Sequence, residues 1–287
     1  MNNDDFIIEW QEFSQYLLHK NRYFCLLPIV KKISSYVKNN IVSIPTTTDV
    51  FRARILRTEG ITMNFIAEIS LNEWMPNSIN RTDNFVDKFC KMFENKFDDN
   101  NTKKIKDIKN GFYGYNAVDS SAPPEESVKS HGRANPDFIS YLYLSEDAKT
   151  AISEIRPNTD DWISVALFRP IKELKIARLY CNRDVECKEP LSENEVLALN
   201  LSCVYSSVAN KPSDYYATQY VSELIKNLGL DGLVYQSSIC KDKLNYVIFN
   251  SSNFKCYSSE LFKVEKVDYI APKKFPFDRL DEREDIK

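Results

Sequence analysis

Residues 131–157, HGRANPDFISYLYLSEDAKTAISEIRP, constrain this chain more than any other stretch. Gly132 and the pair Asn135–Pro136 are turn residues, and an asparagine before proline is biased away from helix. Residues 140–144, SYLYL, form a short aromatic and aliphatic run with strand character. Ser145 is placed to cap a helix, with Glu146 and Asp147 in a first turn where negative charge suits the macrodipole. Ala148, Ala151, Ile152 and Ile155 then recur at helical spacing, and Pro157 stops the run. The segment therefore reads loop, strand, turn, helix. Arg133, Tyr143 and Glu154 sit in it at separations of ten and eleven residues. Glu154 falls in the last helical turn, where a carboxylate opposes the dipole at a cost of ~0.3–1 kcal/mol. That placement suits a glutamate turned into a site better than a structural one.

The rest of the chain mixes strands and helices without strict alternation. Residues 4–39 read as helical, with Trp10, Phe13, Tyr16 and Leu17 at helical spacing and Pro28 near the start of a second helix. IVSIPTTTD reads as a linker. Residues 49–56, DVFRARIL, alternate as a strand, with Phe51, Ala53 and Ile55 on one face and Arg52, Arg54 and Leu56 on the other. Residues 82–99 form an amphipathic helix with Phe85, Phe89 and Phe93 stacked. A charged connector and the irregular GFYGYNAVDSSAPPEE follow, and long loops of that kind often carry function. Residues 162–168 and 174–179 read as strands. A helix with the capping box Ser192–Glu195 comes next, then a helix capped by Ser213 and ended by Gly229. LDGLVYQSS and LNYVIFN are two further strands. The expected class is α+β.

Several function classes fall away. No GxGxxG or GxxxxGK[ST] is present, which argues against Rossmann and P-loop nucleotide binding. A net charge of −3 gives no global drive toward nucleic acid or anionic membranes. No apolar run reaches the roughly 18 residues of a membrane span, and the acidic start MNNDDFIIEW lacks the basic region of a secretory signal. The 7 cysteines are odd in number and without a CxxC pair, which reads as reduced thiols in a cytoplasmic protein. With His19 and His131 the only histidines, no metal site is expected.

The residue types point to chemistry on a dinucleotide such as NAD. Cleavage of a nicotinamide–ribose bond passes through an oxocarbenium-like state, which a carboxylate stabilises. An aromatic face holds the flat ring, and arginines grip pyrophosphate, ideally with both fork nitrogens. Glu154, Tyr143, and Arg133 with Arg52 match those tasks. Arg54 shares the face of Arg52 and is an alternative to it. Each has a plainer reading: a solvated helix glutamate, a half-buried strand tyrosine, an exposed loop arginine, and an arginine paired across a sheet.

The chain resembles the RES domain family of toxins from bacterial toxin–antitoxin modules. The resemblance runs over roughly residues 51–250 and rests on FRAR at 51–54, GRAN at 132–135, YLYLS at 141–145, TAISEIRP at 150–157, DYYATQYVSELIKNLGLDGLVYQSS at 214–238 and NYVIFN at 245–250. It implies an ADP-ribosyltransferase-like fold, with a split mixed β-sheet core and flanking helices. It also implies consumption of NAD by phosphorolysis or hydrolysis, with NAD as substrate, phosphate as a potential co-substrate and no prosthetic group. By resemblance the catalytic tyrosine and glutamate fall on Tyr143 and Glu154. The two arginines fall on Arg133 and Arg52, and the serine on Ser237 with Ser238 as the fallback. An antitoxin of Xre type is the implied partner, and homo-oligomerisation is left open.

The expected organisation is an N-terminal helical extension over 1–45, a RES-type domain over 46–270 with a helical insertion near 61–110, and a charged tail over 271–287. The competing functions are a protein-modifying ADP-ribosyltransferase and a non-catalytic module that binds a nucleotide or protein in the same pocket.

Overall fold

Asn2 begins the first helix by accepting from the Asp5 amide at 2.8 Å, while its own amide donates to the Asp5 carboxylate at 2.9 Å. In the computed structural model, which describes residues 2–56, 106–108, 110–123, 132–181, 190–208 and 211–268, helix α1 then runs Asn3–His19. Helix α2, Pro28–Asn39, starts with proline where a missing N–H costs nothing. The strands and helices that follow are β1 (Ile41–Ile44), β2 (Val50–Ile55), α3 (Ala117–Ser120), β3 (Leu142–Ser145), α4 (Ala148–Glu154), β4 (Trp162–Pro170), β5 (Leu174–Arg178), α5 (Glu193–Ser206), α6 (Tyr216–Asn227), β6 (Gly232–Gln236), β7 (Leu244–Ile248) and β8 (Phe254–Lys263).

Among the described residues, eight strands form one sheet in the order β1-β5-β6-β7-β3-β2-β4-β8. β5 and β6 run parallel and the other pairs antiparallel, so the sheet is mixed and the fold is α+β. Between β3 and β2 the ladder narrows to a single pair, Phe51 with Ser145. The sheet thus divides into a half built on β1, β5, β6, β7 and β3 and a half built on β2, β4 and β8.

Strand alternation gives the sheet two faces. On one face Tyr141, Tyr143, Leu233, Tyr235 and Val247 pack under α1, α2, α5 and α6. On the same face of the other half, Ala53, Ile163 and Val165 pack under Ala151 of α4. The opposite face carries Val50, Leu142, Leu144, Phe168, Ile176 and Ile248.

Residues 1–45, the expected N-terminal extension, pack into the main core. Phe6, Phe13, Leu17, Ile29, Ile33, Tyr36 and Val37 are buried in the same cluster as Leu201, Val221 and Val247. The Phe13 ring meets Tyr220 of α6 edge-on at 5.5 Å, and β1 pairs with β5. At about 1.5–3 kcal/mol for each such side chain, this burial rivals the ~5–15 kcal/mol net stability of a whole domain. Deleting residues 1–45 is therefore expected to give an insoluble or unfolded product. A soluble deletion product with a Tm near that of the full chain would show that the two helices are dispensable to the core.

Local boundaries differ from expectation for physical reasons. The linker-like IVSI is β1, and β8 was not anticipated. Helix α4 is capped by Asp147, whose carboxylate accepts from the Thr150 amide at 2.7 Å. Ser145 does not cap it but ends β3. Ser213 lies in the 3-10 turn Pro212–Tyr215 that precedes α6 and makes no cap. Gly229 takes a left-handed backbone after α6, with φ of 81°. The helix expected over 82–99, most of the insertion near 61–110 and the tail over 271–287 lie outside the described residues.

Candidate active site

The turn at residues 132–135 is built to hold one arginine. Its ends are closed by the Gly132 amide on the Asn135 carbonyl at 2.9 Å. The Tyr143 hydroxyl donates to Asn135 Oδ1 at 2.6 Å and accepts from the Ala134 amide at 3.1 Å. From α6, Gln219 Nε2 donates to the carbonyls of Gly132 (2.9 Å) and Asn135 (3.2 Å). Thr218 Oγ1 donates to the Arg133 carbonyl at 2.5 Å. A Cβ on Gly132 would stand 2.3 Å from Asn135 Oδ1 and 2.7 Å from the Tyr143 hydroxyl, so only glycine fits there.

This turn aims the Arg133 side chain at the end of β6. Its Nη1 donates to the Tyr205 carbonyl at 3.3 Å, and Tyr215 and Tyr235 lie near enough to act on its charge. Burial pulls its pKa down, but Tyr235, Tyr215 and the charge of Glu154 outweigh that and raise it. The Tyr235 hydroxyl is pushed up to about 12, first by burial, and Glu154 adds to the push while Arg133 opposes it.

Glu154 is the last residue of α4. Arg156 takes a left-handed backbone at φ 49° and Pro157 follows, so the helix ends here. The half-buried carboxylate is held through Oε1, which accepts from Ser237 Oγ and from Asn245 Nδ2, both at 2.6 Å. Oε2 accepts from no described residue. Ser237 Oγ in turn accepts from the amides of Ile239 (3.1 Å) and Cys240 (3.0 Å), which leaves its proton for Glu154. A carboxylate fixed on one oxygen, with the other open and a guanidinium beside it, is suited to stabilising positive charge on a bound sugar.

The structure brings Arg133, Tyr143, Glu154 and Ser237 onto one face of the sheet. Ser238 is not part of the cluster; its hydroxyl donates to the Ser206 carbonyl at 3.2 Å. Arg52 does not join it either. It sits on the opposite face of β2 from α4, and its Nη1 donates to the carbonyls of Ser120 (2.6 Å) and Ser121 at the end of α3. Burial, then the like charge of Arg54, lowers its pKa to about 10. Arg54 faces the same way, donating to the Asp119 carbonyl with its guanidinium 4.9 Å from the Tyr115 ring centroid. The pairing of two basic residues at alternate strand positions therefore serves the far side of the sheet.

The Tyr143 hydroxyl is committed within the protein, whatever its ring holds. Burial raises its pKa, and both bonds of its hydroxyl go to the turn that carries Arg133. Tyr143→Phe keeps the ring but leaves Asn135 Oδ1 and the Ala134 amide without this partner, at ~1–3 kcal/mol for a buried unpaired group. Steady-state turnover by Tyr143→Phe is expected to fall nearly as far as that of Tyr143→Ala. Near-parental turnover in the Phe variant would return the tyrosine to a stacking role.

Sequence reading missed Thr218, Gln219, Tyr215, Tyr235 and Asn245. Thr218, Gln219 and Asn245 are buried polar side chains on otherwise apolar faces, and a polar residue at a core-facing position was the available signal. Two shallow surface concavities, one lined by Asp5, Glu9 and Lys32 and one by Thr46, Arg169 and Tyr257, contain none of these residues. Among the described residues, no group of three or more His, Cys, Asp or Glu is placed to hold a metal ion.

The RES domain family matches residues 107–270, more than half of the chain. The chain belongs to the RES domain family. Arg133, Tyr143, Glu154 and Ser237 lie inside the matched RES residues, whereas Arg52 and the elements α1 to β2 precede them. No curated protein matches the sequence. Among solved structures, this RES chain is similar to a chain of the crystal structure of the M. tuberculosis MbcT–MbcA toxin–antitoxin complex. The identity is 12% and the TM-score 0.35, over 53% of this chain and 80% of that one.

Proposed function

We propose that this RES protein cleaves the nicotinamide–ribose bond of NAD, with phosphate or water as acceptor. The observation that carries the reading is the Glu154 carboxylate, fixed at Oε1 by Ser237 and Asn245, open at Oε2 and facing the charge of Arg133. In the proposed reaction nicotinamide leaves with the bonding electron pair. The positive charge that develops on the ribose is stabilised by Glu154. Arg133 binds the pyrophosphate and keeps the anomeric carbon against the carboxylate. A phosphate oxygen then bonds that carbon to give ADP-ribose 1″-phosphate. Alternatively, water adds and loses a proton to give ADP-ribose.

Such an enzyme depletes NAD, which fits a toxin restrained by a partner protein, an antitoxin of Xre type. Among the described residues no helix is long and apolar enough to cross a membrane. Mass spectrometry of NAD incubated with the purified chain, with and without phosphate, tests the proposal. Nicotinamide with ADP-ribose or its 1″-phosphate is expected. Binding of NAD without products would make the chain a nucleotide-binding module. Transfer of label from NAD to proteins of a cell extract, without free products, would make it a protein ADP-ribosyltransferase.

A further inference from the structure

Glu154 is held by two side chains, and only the serine was anticipated. Asn245 stands in β7 between β6 and β3, in register with Tyr235 on one side and Ser145 on the other. Ladder pairing on both flanks fixes its backbone. The residue is almost fully buried, at 4% exposure, and Ser145 beside it is at 5%. Ser145 Oγ donates to Asn245 Oδ1 at 2.8 Å, and Asn245 Nδ2 donates to Glu154 Oε1 at 2.6 Å. The amide has one workable orientation. Flipped, it would set its oxygen against Glu154 Oε1, two acceptors with no proton between them.

We infer that Asn245, with its amide oriented by Ser145, is a positioning residue that locks the Glu154 carboxylate with Oε2 toward substrate. The inference deepens the proposed NAD cleavage and rests on Glu154 being the carboxylate that acts there. Ser237 comes from the mouth of a turn, where its hydroxyl caps the amides of Ile239 and Cys240. Asn245 comes from the interior of the sheet. A rigid strand donor sets the angle of the carboxylate better than a turn residue can. The three strands β3, β7 and β6 thereby transmit their register to a side chain on a helix of only 7 residues.

The test compares Asn245→Asp with Asn245→Ala in the full chain. Asp has the same shape but turns the donor into an acceptor 2.6 Å from Glu154 Oε1. Ala removes the donor and adds nothing. If Asn245 positions the carboxylate, kcat should fall by about 10-fold in the Ala variant and on the order of 10²-fold in the Asp variant, with KM for NAD changed much less. If Asn245 only fills space, the order reverses, with Asp near the parent and Ala impaired.

A double-mutant cycle on thermal stability reads the same contact without any reaction. Asn245→Asp should lower Tm in the Glu154 background. It should do so much less when Glu154→Gln is also present, because the new amide can donate to the aspartate. Strictly additive Tm changes, or an Asp variant more active than the Ala variant, overturn the inference. A parent chain that leaves NAD intact while the cycle shows strong coupling refutes the proposed reaction and keeps the positioning role.

Discussion

Glu154→Gln is expected to lower kcat for NAD cleavage by ~10²–10³-fold, the usual result of removing one group that stabilises transition-state charge. The substitution is unusually clean here. A glutamine oxygen can still accept from Ser237 and Asn245, so both 2.6 Å contacts survive and only the negative charge is lost. Tm should therefore stay close to that of the parent while turnover falls. Single-turnover NAD consumption and a melting curve on the same sample check both halves. A Gln variant with near-parental turnover would remove Glu154 from the chemistry altogether.

Arg133 should fail in another way. Its guanidinium donates to the Tyr205 carbonyl and acts electrostatically on Tyr235 and Glu154. Arg133→Ala strips all of these and leaves no fork for the pyrophosphate, so KM should rise and kcat should fall together. A combined loss in kcat/KM on the order of 10²-fold matches the effect of misplacing a bound substrate. Arg133→Lys should recover only part of it, because an ammonium is a point charge and cannot present two parallel donors. A Lys variant with parental kcat/KM would show that diffuse charge is enough.

How far these assignments could be read from the chain depends on where the deciding contacts come from. Local chemistry was legible. Pro28 starts α2, the Ser192–Glu195 box starts α5, and the apolar runs at 162–168 and 232–236 are β4 and β6. Elements fixed by partners rather than by their own pattern were not. β1 has four residues and leans on β5, and β8 carries a Ser258–Ser259 pair where a strand would be expected to be apolar. Ser259 is nonetheless fully buried, because its hydroxyl bonds the Tyr115 carbonyl at 2.7 Å and the Gly114 amide at 3.0 Å.

The site shows the same division. Spacing within one loop–strand–helix unit exposed Arg133, Tyr143 and Glu154, which are close in the chain. Ser237 needed family resemblance to be singled out. The alternation of β2 separated Arg52 from Phe51 correctly, but nothing local says which face of a sheet a helix will cover. Ser145 was read as a helix cap because serine often is one. Its true partner, Asn245, lies a hundred residues away and is defined only by strand register.

The narrow joint between the sheet halves has a consequence for mutational tolerance. Helix α4 rests mainly on β2, in one half, while its terminal carboxylate is bonded to β7 and to the turn after β6, in the other. Glu154 therefore behaves as a caliper across the joint. A separation of roughly 1 Å would carry both contacts beyond hydrogen-bonding range. Changes at Phe51 or under α4 that leave the protein folded can thus silence it at a distance, by widening a gap rather than by removing any reacting group.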